Sequence, residues 1–90
     1  MRITTKEFVS SDLYLSAAIS ILLQTQPNFR VENQRTLFVF EVSDRLYKAM
    51  SDYNSGIEIN ALEYVQVLKR LKSEMLMRRS MGKTGVYHAG

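Results

Sequence analysis

The titratable side chains of this 90-residue chain do not form a catalytic set. Its one histidine, His88, lies in the glycine-containing last stretch, where nothing holds it at the hydrogen-bond distance that acid or base catalysis needs. The carboxylates are scattered, and Asp12 and Asp44 fall at the starts of predicted helices, where they favour the helix dipole. The absence of cysteine excludes a disulfide framework and a thiolate metal site. We therefore expect no enzyme activity, no cofactor and no bound metal.

Two short motifs near the carboxyl end resemble phosphate-binding loops but lack the required context. Gly82-Lys83-Thr84 matches the end of a Walker loop, yet that motif needs a glycine where this chain has Met77, and a strand before it and a helix after it. Gly82 and Gly85 have the spacing of the RNA-clamping loop of KH domains, which joins two helices, whereas only residues 86–90 follow here. Both motifs are rejected as binding loops.

Positive charge is concentrated at the carboxyl end. Up to Leu68, six basic and eight acidic side chains give a net charge of −2, whereas six basic residues and Glu74 give +5 from Lys69 onward. Such a cluster attracts phosphate backbones without reading bases. The alternative is a solvated helix face, with Glu74 pairing with Arg70 and Arg78. The candidate phosphate-binding residues are Lys69, Arg70, Lys72, Arg78, Arg79 and Lys83.

The same stretch carries apolar residues that suggest a protein interface. A helix of about 20 residues rises roughly 30 Å, whereas a compact domain of this size has a radius of gyration of about 12 Å, so the last turns are expected to project. Methionine is common where a surface adapts to a partner. The alternative is disorder from about Arg79 onward. The candidate interface residues are Leu76, Met77 and Met81.

These candidates lie on a long helix predicted from Asn60 to about Met81. Asn60 is an N-cap, Glu63 completes a capping box, and Ile59 and Tyr64 have the spacing of a hydrophobic staple. Beyond Met75 the apolar pattern breaks. Up to there, steps of three and four predict one core-facing stripe, made of Ala61, Leu62, Tyr64, Val65, Leu68, Leu71 and Met75.

A first helix is predicted from Ser10 or Ser11 to near Gln24. Its only polar positions form one narrow row at four-residue spacing, so the helix is buried on most sides. Either a sheet and the terminal helix of the same chain cover it, or a second copy does; the sequence leaves both open. The polar row consists of Asp12, Ser16, Ser20 and Gln24.

The middle of the chain predicts a hairpin and a second helix. Residues 29–32 and 36–42 form the strands around a turn at 33–35, and the second strand is apolar on both faces and therefore central. Phe38 and Phe40 are similar to RNA-stacking aromatics, but core packing is favoured. Ser43 caps a helix to about Asn54, which Gly56 ends in a left-handed conformation. The inner side of that helix is predicted to carry Leu46, Tyr47, Met50 and Tyr53, and residues 57–59 to form a third short strand.

These elements predict one α+β domain: a small antiparallel sheet, built from a central hairpin and a short extra strand, packed with about three helices, the last of them long. The core spans about residues 6–77, and residues 82–90 form a flexible tail. We expect no secretory signal, because Met1 to Lys6 is polar and no apolar stretch with a small-residue cleavage site follows. The most apolar stretch, Leu13–Leu23, is far shorter than the roughly 20 residues that span a bilayer. We expect a cytoplasmic protein with no membrane contact.

The chain resembles a family of small uncharacterised domains from bacterial, archaeal and phage genomes, over about Phe8 to Met77. The resemblance implies no established activity and no catalytic residues. It also implies that the stretch from Met75 to Gly90 is an addition particular to this chain. The matching segments are Ser11-Asp12-Leu13-Tyr14-Leu15 with Ala17-Ala18, Leu37-Phe38-Val39-Phe40, Tyr53-Asn54-Ser55-Gly56, and Ala61-Leu62 leading to Leu71-Lys72-Ser73.

Two functions follow as expectations. The first is a non-enzymatic binding module, encoded by a phage or another mobile element, that associates with nucleic acid or a nucleoprotein complex through the basic residues. The second is a protein-interaction module, either a homodimer or an adaptor or small inhibitor of a larger protein, that uses the methionine-rich end of the last helix together with the first helix.

Overall fold

The computed structural model describes residues 6–87, with side chains described from Lys6 to Arg79. The predicted α+β class is confirmed. The elements in chain order are strand β1 (Glu7–Ser10), helix α1 (Leu13–Leu23), strands β2 (Asn28–Glu32) and β3 (Arg35–Glu41), and helices α2 (Asp44–Asn54) and α3 (Ala61–Tyr87). Residues 88–90, including His88, lie outside the described residues.

The three strands form an antiparallel sheet in the order β1-β3-β2, which confirms that β3 is central. The extra strand is β1 and not residues 57–59, so that part of the prediction was wrong. Val42 donates its N–H to the Lys6 carbonyl at 2.9 Å, and Phe8 lies opposite Phe40, so β1 completes the free edge of β3. Residues 57–59 only join the Gly56 turn to the start of α3.

The β2–β3 hairpin closes through a two-residue turn, one residue shorter than predicted. Asn33 and Gln34 have φ angles of 53° and 65°. Two positive φ angles in succession define a type I′ turn, whose twist matches that of the flanking strands. The turn fixes a register that places Phe29 opposite Phe38, and their rings meet edge to face with centroids 5.7 Å apart.

The N-cap of α1 is Asp12, one or two residues after the predicted caps Ser11 and Ser10. Because Ser10 is paired with Phe38, its backbone stays extended, and Asp12 takes the N-cap position and accepts from the Leu15 N–H at 3.0 Å. The Ser10 hydroxyl instead accepts from the Asp12 N–H at 2.9 Å. The helix ends at Gln24, as predicted, in a left-handed conformation with φ of 54°.

The centre of α1 is buried within its own chain. Five consecutive residues, Ser16 to Ser20, are at most 4% exposed, including both serines of the polar row. Ala17 and Ile19 pack with Phe38 and Phe40 of the sheet, and α2 and α3 contact α1 on its flanks. Of the two alternatives for covering α1, the structure supports the first at the centre of the helix: the sheet and two helices of the same chain cover it, and no second copy is needed there.

Both ends of helix α2 lie where they were predicted, but only part of its predicted inner side is buried. Ser43 caps it by accepting from the Leu46 N–H at 3.1 Å, and Gly56 has the left-handed φ of 86° that the prediction required. Leu46 is fully buried, but Tyr47 is 58% exposed, so its assignment to the core was wrong. Ala49 takes the inner position because the close α1–α2 packing admits a small side chain there.

The opposite face of the sheet is closed by charge rather than by a helix. The three helices pack against the face with Phe38 and Phe40, yet Val39 on the other face is only 3% exposed. On that face Arg30 of β2 reaches across β3 to Glu7 of β1, with Nη2 and Oε1 2.6 Å apart. The hydrogen bond and the charge of Glu7 raise the pKa of Arg30, which keeps the guanidinium charged, and the two side chains together cover Val39.

Candidate interaction surface on the last helix

The start of α3 is held at its cap and by a tyrosine. Asn60 Oδ1 accepts from the Glu63 N–H at 2.9 Å, which confirms the predicted N-cap. One turn later, the Tyr64 hydroxyl donates to the Tyr14 carbonyl of α1 at 3.0 Å. Burial, and then the neighbouring groups of Tyr53, Asp12 and Tyr14, raise the pKa of Tyr64, so its hydroxyl keeps the proton that it donates.

The buried face of α3 is turned away from part of the predicted stripe. Val67 and Leu71 are at most 7% exposed, and Tyr64, Leu68 and Met75 are half-buried against the same core. Three members of the predicted stripe are exposed instead. Because Val67 and Leu71 pack in one cluster with Ala17 and Ile19 of α1, burial on α3 is centred on these two residues. The residues wrongly assigned to the core are Ala61, Leu62 and Val65.

Helix α3 still contacts the sheet at Met75 and Arg78, so the predicted projection of its last turns does not begin at Leu76; the side chains beyond Arg79 lie outside the described residues. The Thr36 hydroxyl donates to the Met75 carbonyl at 3.0 Å. Arg78 then lies over the Phe29 ring, with its guanidinium carbon 4.7 Å from the centroid, and its Nε donates to Glu74 Oε1 at 3.1 Å. A planar guanidinium stacks on an aromatic ring while pairing with a carboxylate. The break in the apolar pattern therefore does not end the packing.

The five candidate phosphate-binding residues whose side chains the structure describes do not form one surface. Arg78 is engaged with Phe29 and Glu74, and Arg79 is half-buried with its Nε enclosed. Arg70 is exposed, but it lines a groove between α1 and α3, beside Gln24 and Glu63. With about 100° between successive helix positions, Arg70 lies on nearly the opposite side of α3 from Lys72.

Lys69 and Lys72 are the two candidates that the structure brings together. They are three residues apart on one side of α3, and both are exposed. Neither makes an ion pair with any side chain in the described range 6–79. The side chain of Lys83 lies outside the described residues, as does that of Met81, although both positions belong to the helical backbone.

The exposed residues beside these lysines are aliphatic. Leu62, Val65 and Leu76 are 67%, 44% and 47% exposed. Together with the two lysines they follow steps of three, four, three and four along the helix, so all five face one direction. We call this surface the outer seam, and its members are Leu62, Val65, Lys69, Lys72 and Leu76.

Of the predicted interface residues, only Leu76 belongs to the outer seam. Met77 is 50% exposed, but it lies about 100° around the helix from Leu76. The sequence analysis did not identify Leu62 and Val65 as surface residues, because it assigned both to one wide apolar stripe that faces the core. A detectable signal was present: positions 62, 65, 69, 72 and 76 repeat the heptad spacing, offset from the series 64, 67, 71, 75 and 78 that packs on the core.

Other kinds of site have no support in the described part of the chain. It contains no group of three or more His, Asp or Glu side chains that could hold a metal ion. None of its helices combines the length and hydropathy needed to cross a membrane. A cavity of 360 Å³ at the end of β3 is lined by Glu41, Ser43, Arg45 and six uncharged residues. A single carboxylate beside a helix cap and an arginine provides no acid–base pair.

The chain is thus a small α+β domain with one helix face left uncovered. It belongs to the family described as a domain of unknown function (DUF5659), whose model matches residues 13–77. The match ends at Met77, so Met75 to Met77 belong to the family region and not to the predicted addition. It includes the whole outer seam and excludes β1. Neither the curated proteins nor the solved structures contain a significant match.

The anchoring of Arg78 can be measured through its coupling to Phe29. We predict that Arg78→Ala and Phe29→Leu lower the free energy of unfolding by less in combination than the sum of the two single changes. The expected coupling is about 0.5–1 kcal/mol, because each change removes the same stacking contact. Denaturant unfolding of the two single variants, the double variant and the unchanged protein gives this energy. Strict additivity would show that Arg78 is free of the sheet.

Proposed function

We propose that this protein is a non-enzymatic binding module that docks on another protein through the outer seam of α3. The observation that carries the proposal is the regular spacing of Leu62, Val65 and Leu76, which are exposed on a helix whose opposite face is fully occupied by the core. The core already covers the inner face of α3, so a second apolar series on its outer face indicates a surface that another molecule covers. Laying a helix face into a partner's groove is a common mode of recognition.

The energetics fit a modest interface. Covering an exposed leucine or valine contributes on the order of 1–3 kcal/mol, and fixing the side chains and the relative position of two molecules removes part of that gain. The sheet and α1 hold α3 in place before binding, so the helix pays no folding cost when it docks. Val67 and Leu71 on the inner face supply that rigidity.

Among the protein-interaction alternatives, an adaptor or small inhibitor is favoured over a homodimer. Two copies packed through this seam would bring Lys69 and Lys72 of one chain against the same lysines of the other, and like charges across an interface are unfavourable. The centre of α1 is already covered within the chain, so α1 does not supply a dimer surface there. We place the module in the cytoplasm, where a cysteine-free chain is at no disadvantage; its origin in a phage or mobile element rests on the family resemblance alone.

A second candidate function is nucleic-acid binding. Lys69, Arg70 and Lys72 support it because all three are exposed and make no ion pair with the described side chains. Their position weakens it, since Arg70 faces away from the two lysines. Few phosphates can then be neutralised at once, and sequence-independent affinity depends on that number.

The leading proposal predicts site-specific cross-linking. A photoreactive amino acid at position 65 or 76, in the full chain expressed in its native host, is expected to form adducts with one partner protein. The same residue at Glu63 or Arg70, which are exposed on α3 and lie about 120° or more around the helix from the middle of the seam, is expected to form few or none. After illumination, the adducts are separated by gel electrophoresis and the cross-linked proteins are identified by mass spectrometry. Equal adduct patterns at all four positions would contradict docking through the seam.

The nucleic-acid candidate predicts salt-dependent binding. Titration of labelled duplex DNA with the purified chain should give a slope of log affinity against log salt of about −2 to −3, one unit for each phosphate that Lys69, Lys72 and Arg70 neutralise. Exchanging Lys72 for alanine should reduce the slope by about one. Binding that is absent at low salt, or a slope that this substitution leaves unchanged, would remove the candidate.

A further inference from the structure

We infer that the partner element which covers the outer seam is an amphipathic helix with apolar residues at its two ends and carboxylates at its centre. The inference rests on the proposed function and specifies its ligand. It follows from three properties of the seam: the spacing of its residues, the order of apolar and charged positions along it, and the absence of local acids near its lysines.

The spacing selects a helix as the covering element. Steps of three and four over positions 62 to 76 cover two heptads, and a series of this kind packs against the matching series of a second helix that crosses at about 20°. The seam is about 21 Å long at 1.5 Å per residue. It therefore accommodates a partner helix of two to three heptads.

The order of residues divides the seam into three parts. Leu62 and Val65 form an apolar end, Leu76 forms the other, and Lys69 and Lys72 occupy the middle. Lysine stems pack along apolar surface while the ammonium groups reach outward. At the centre of a helix pair, uncompensated ammonium groups are unfavourable. The partner must therefore place compensating charge there.

No acid on α3 supplies that charge. The positions three and four residues from Lys69 and Lys72 are occupied by Val, Gln, Lys, Ser, Leu and Met, with no carboxylate among them. The two acidic residues of α3 face elsewhere: Glu74 pairs with Arg78, and Glu63 borders the groove of Arg70. Arg78 has Glu74 as its partner within the helix, whereas the two seam lysines have no such partner and can pair with carboxylates of another molecule.

The test uses two designed helical peptides of about three heptads. Both carry leucine opposite the apolar ends of the seam; one has glutamate at the two central positions and the other has lysine there. Binding of each fluorescently labelled peptide to the purified full chain is followed by anisotropy. We expect the glutamate peptide to bind at least about tenfold more tightly than the lysine peptide.

Matched charge reversals locate the effect. Lys72→Glu is expected to weaken binding of the glutamate peptide about tenfold and to strengthen binding of the lysine peptide. Arg70→Glu changes the net charge by the same amount outside the seam and is expected to alter neither affinity appreciably. Both positions are exposed, and far-ultraviolet circular dichroism confirms that the variants remain folded.

Each remaining outcome overturns the inference. Equal affinity for the two peptides would show that the central charges do not select the partner. Equal effects of Lys72→Glu and Arg70→Glu would show that only net charge matters. Displacement of the glutamate peptide by duplex DNA, with the same sensitivity to Lys72→Glu, would reassign the surface to phosphate. If neither peptide binds while position 76 still cross-links a protein, the helical partner is wrong and the proposed function stands.

Discussion

Helix α1 has to be covered on several sides at once, because five consecutive residues at its centre, Ser16 to Ser20, are buried and point in every direction around the helix. A three-stranded sheet can cover only one of these sides. Helices α2 and α3 cover the flanks. The core residues Ile19, Phe38, Leu46 and Leu71 come from α1, the sheet, α2 and α3, so all four pack together. The position of α3 is therefore dictated by α1, and so is the choice of the α3 face that remains outside.

The carboxyl-terminal half of α3 extends this attachment by polar means. Thr36 binds the Met75 carbonyl, and Arg78 stacks on Phe29 while Glu74 holds its guanidinium. Both contacts tie the helix to the hairpin, on the same sheet face that supports α1. They also make Arg78, a candidate for external binding, part of the packing between α3 and the hairpin. The residues of the outer seam make none of these contacts and stay exposed.

Local signals predicted much of the fold. The caps at Ser43 and Asn60, the hairpin, the central position of β3 and the left-handed Gly56 each depend on residues close in sequence, and the structure contains all of them. The errors concern contacts between distant segments. The N-cap moved to Asp12 because β1 pairs through Ser10, and Leu62 and Val65 left the core because α1 packs beside Val67. The apolar periodicity of one helix does not show which of its sides the neighbouring helix will cover.

The candidate site was predictable only in part for the same reason. Lys69, Lys72 and Leu76 were identified from their types, but their assembly with Leu62 and Val65 depends on the orientation of α3 in the fold. The stacking of Arg78 on Phe29 could not be predicted, because Phe29 lies in a distant strand. Charge and apolar content alone do not distinguish an arginine that stacks on the sheet from a lysine that stays exposed.

The central claim is that α3 has one face that holds the fold and another that is left for a partner. The most direct test compares two leucines of this helix, Leu71, which is fully buried, and Leu76, which is 47% exposed. Denaturant unfolding is expected to show a loss of about 2–5 kcal/mol for Leu71→Ala and of less than about 1 kcal/mol for Leu76→Ala. Similar losses for the two variants would show that the outer seam also supports the fold, and would contradict the claim.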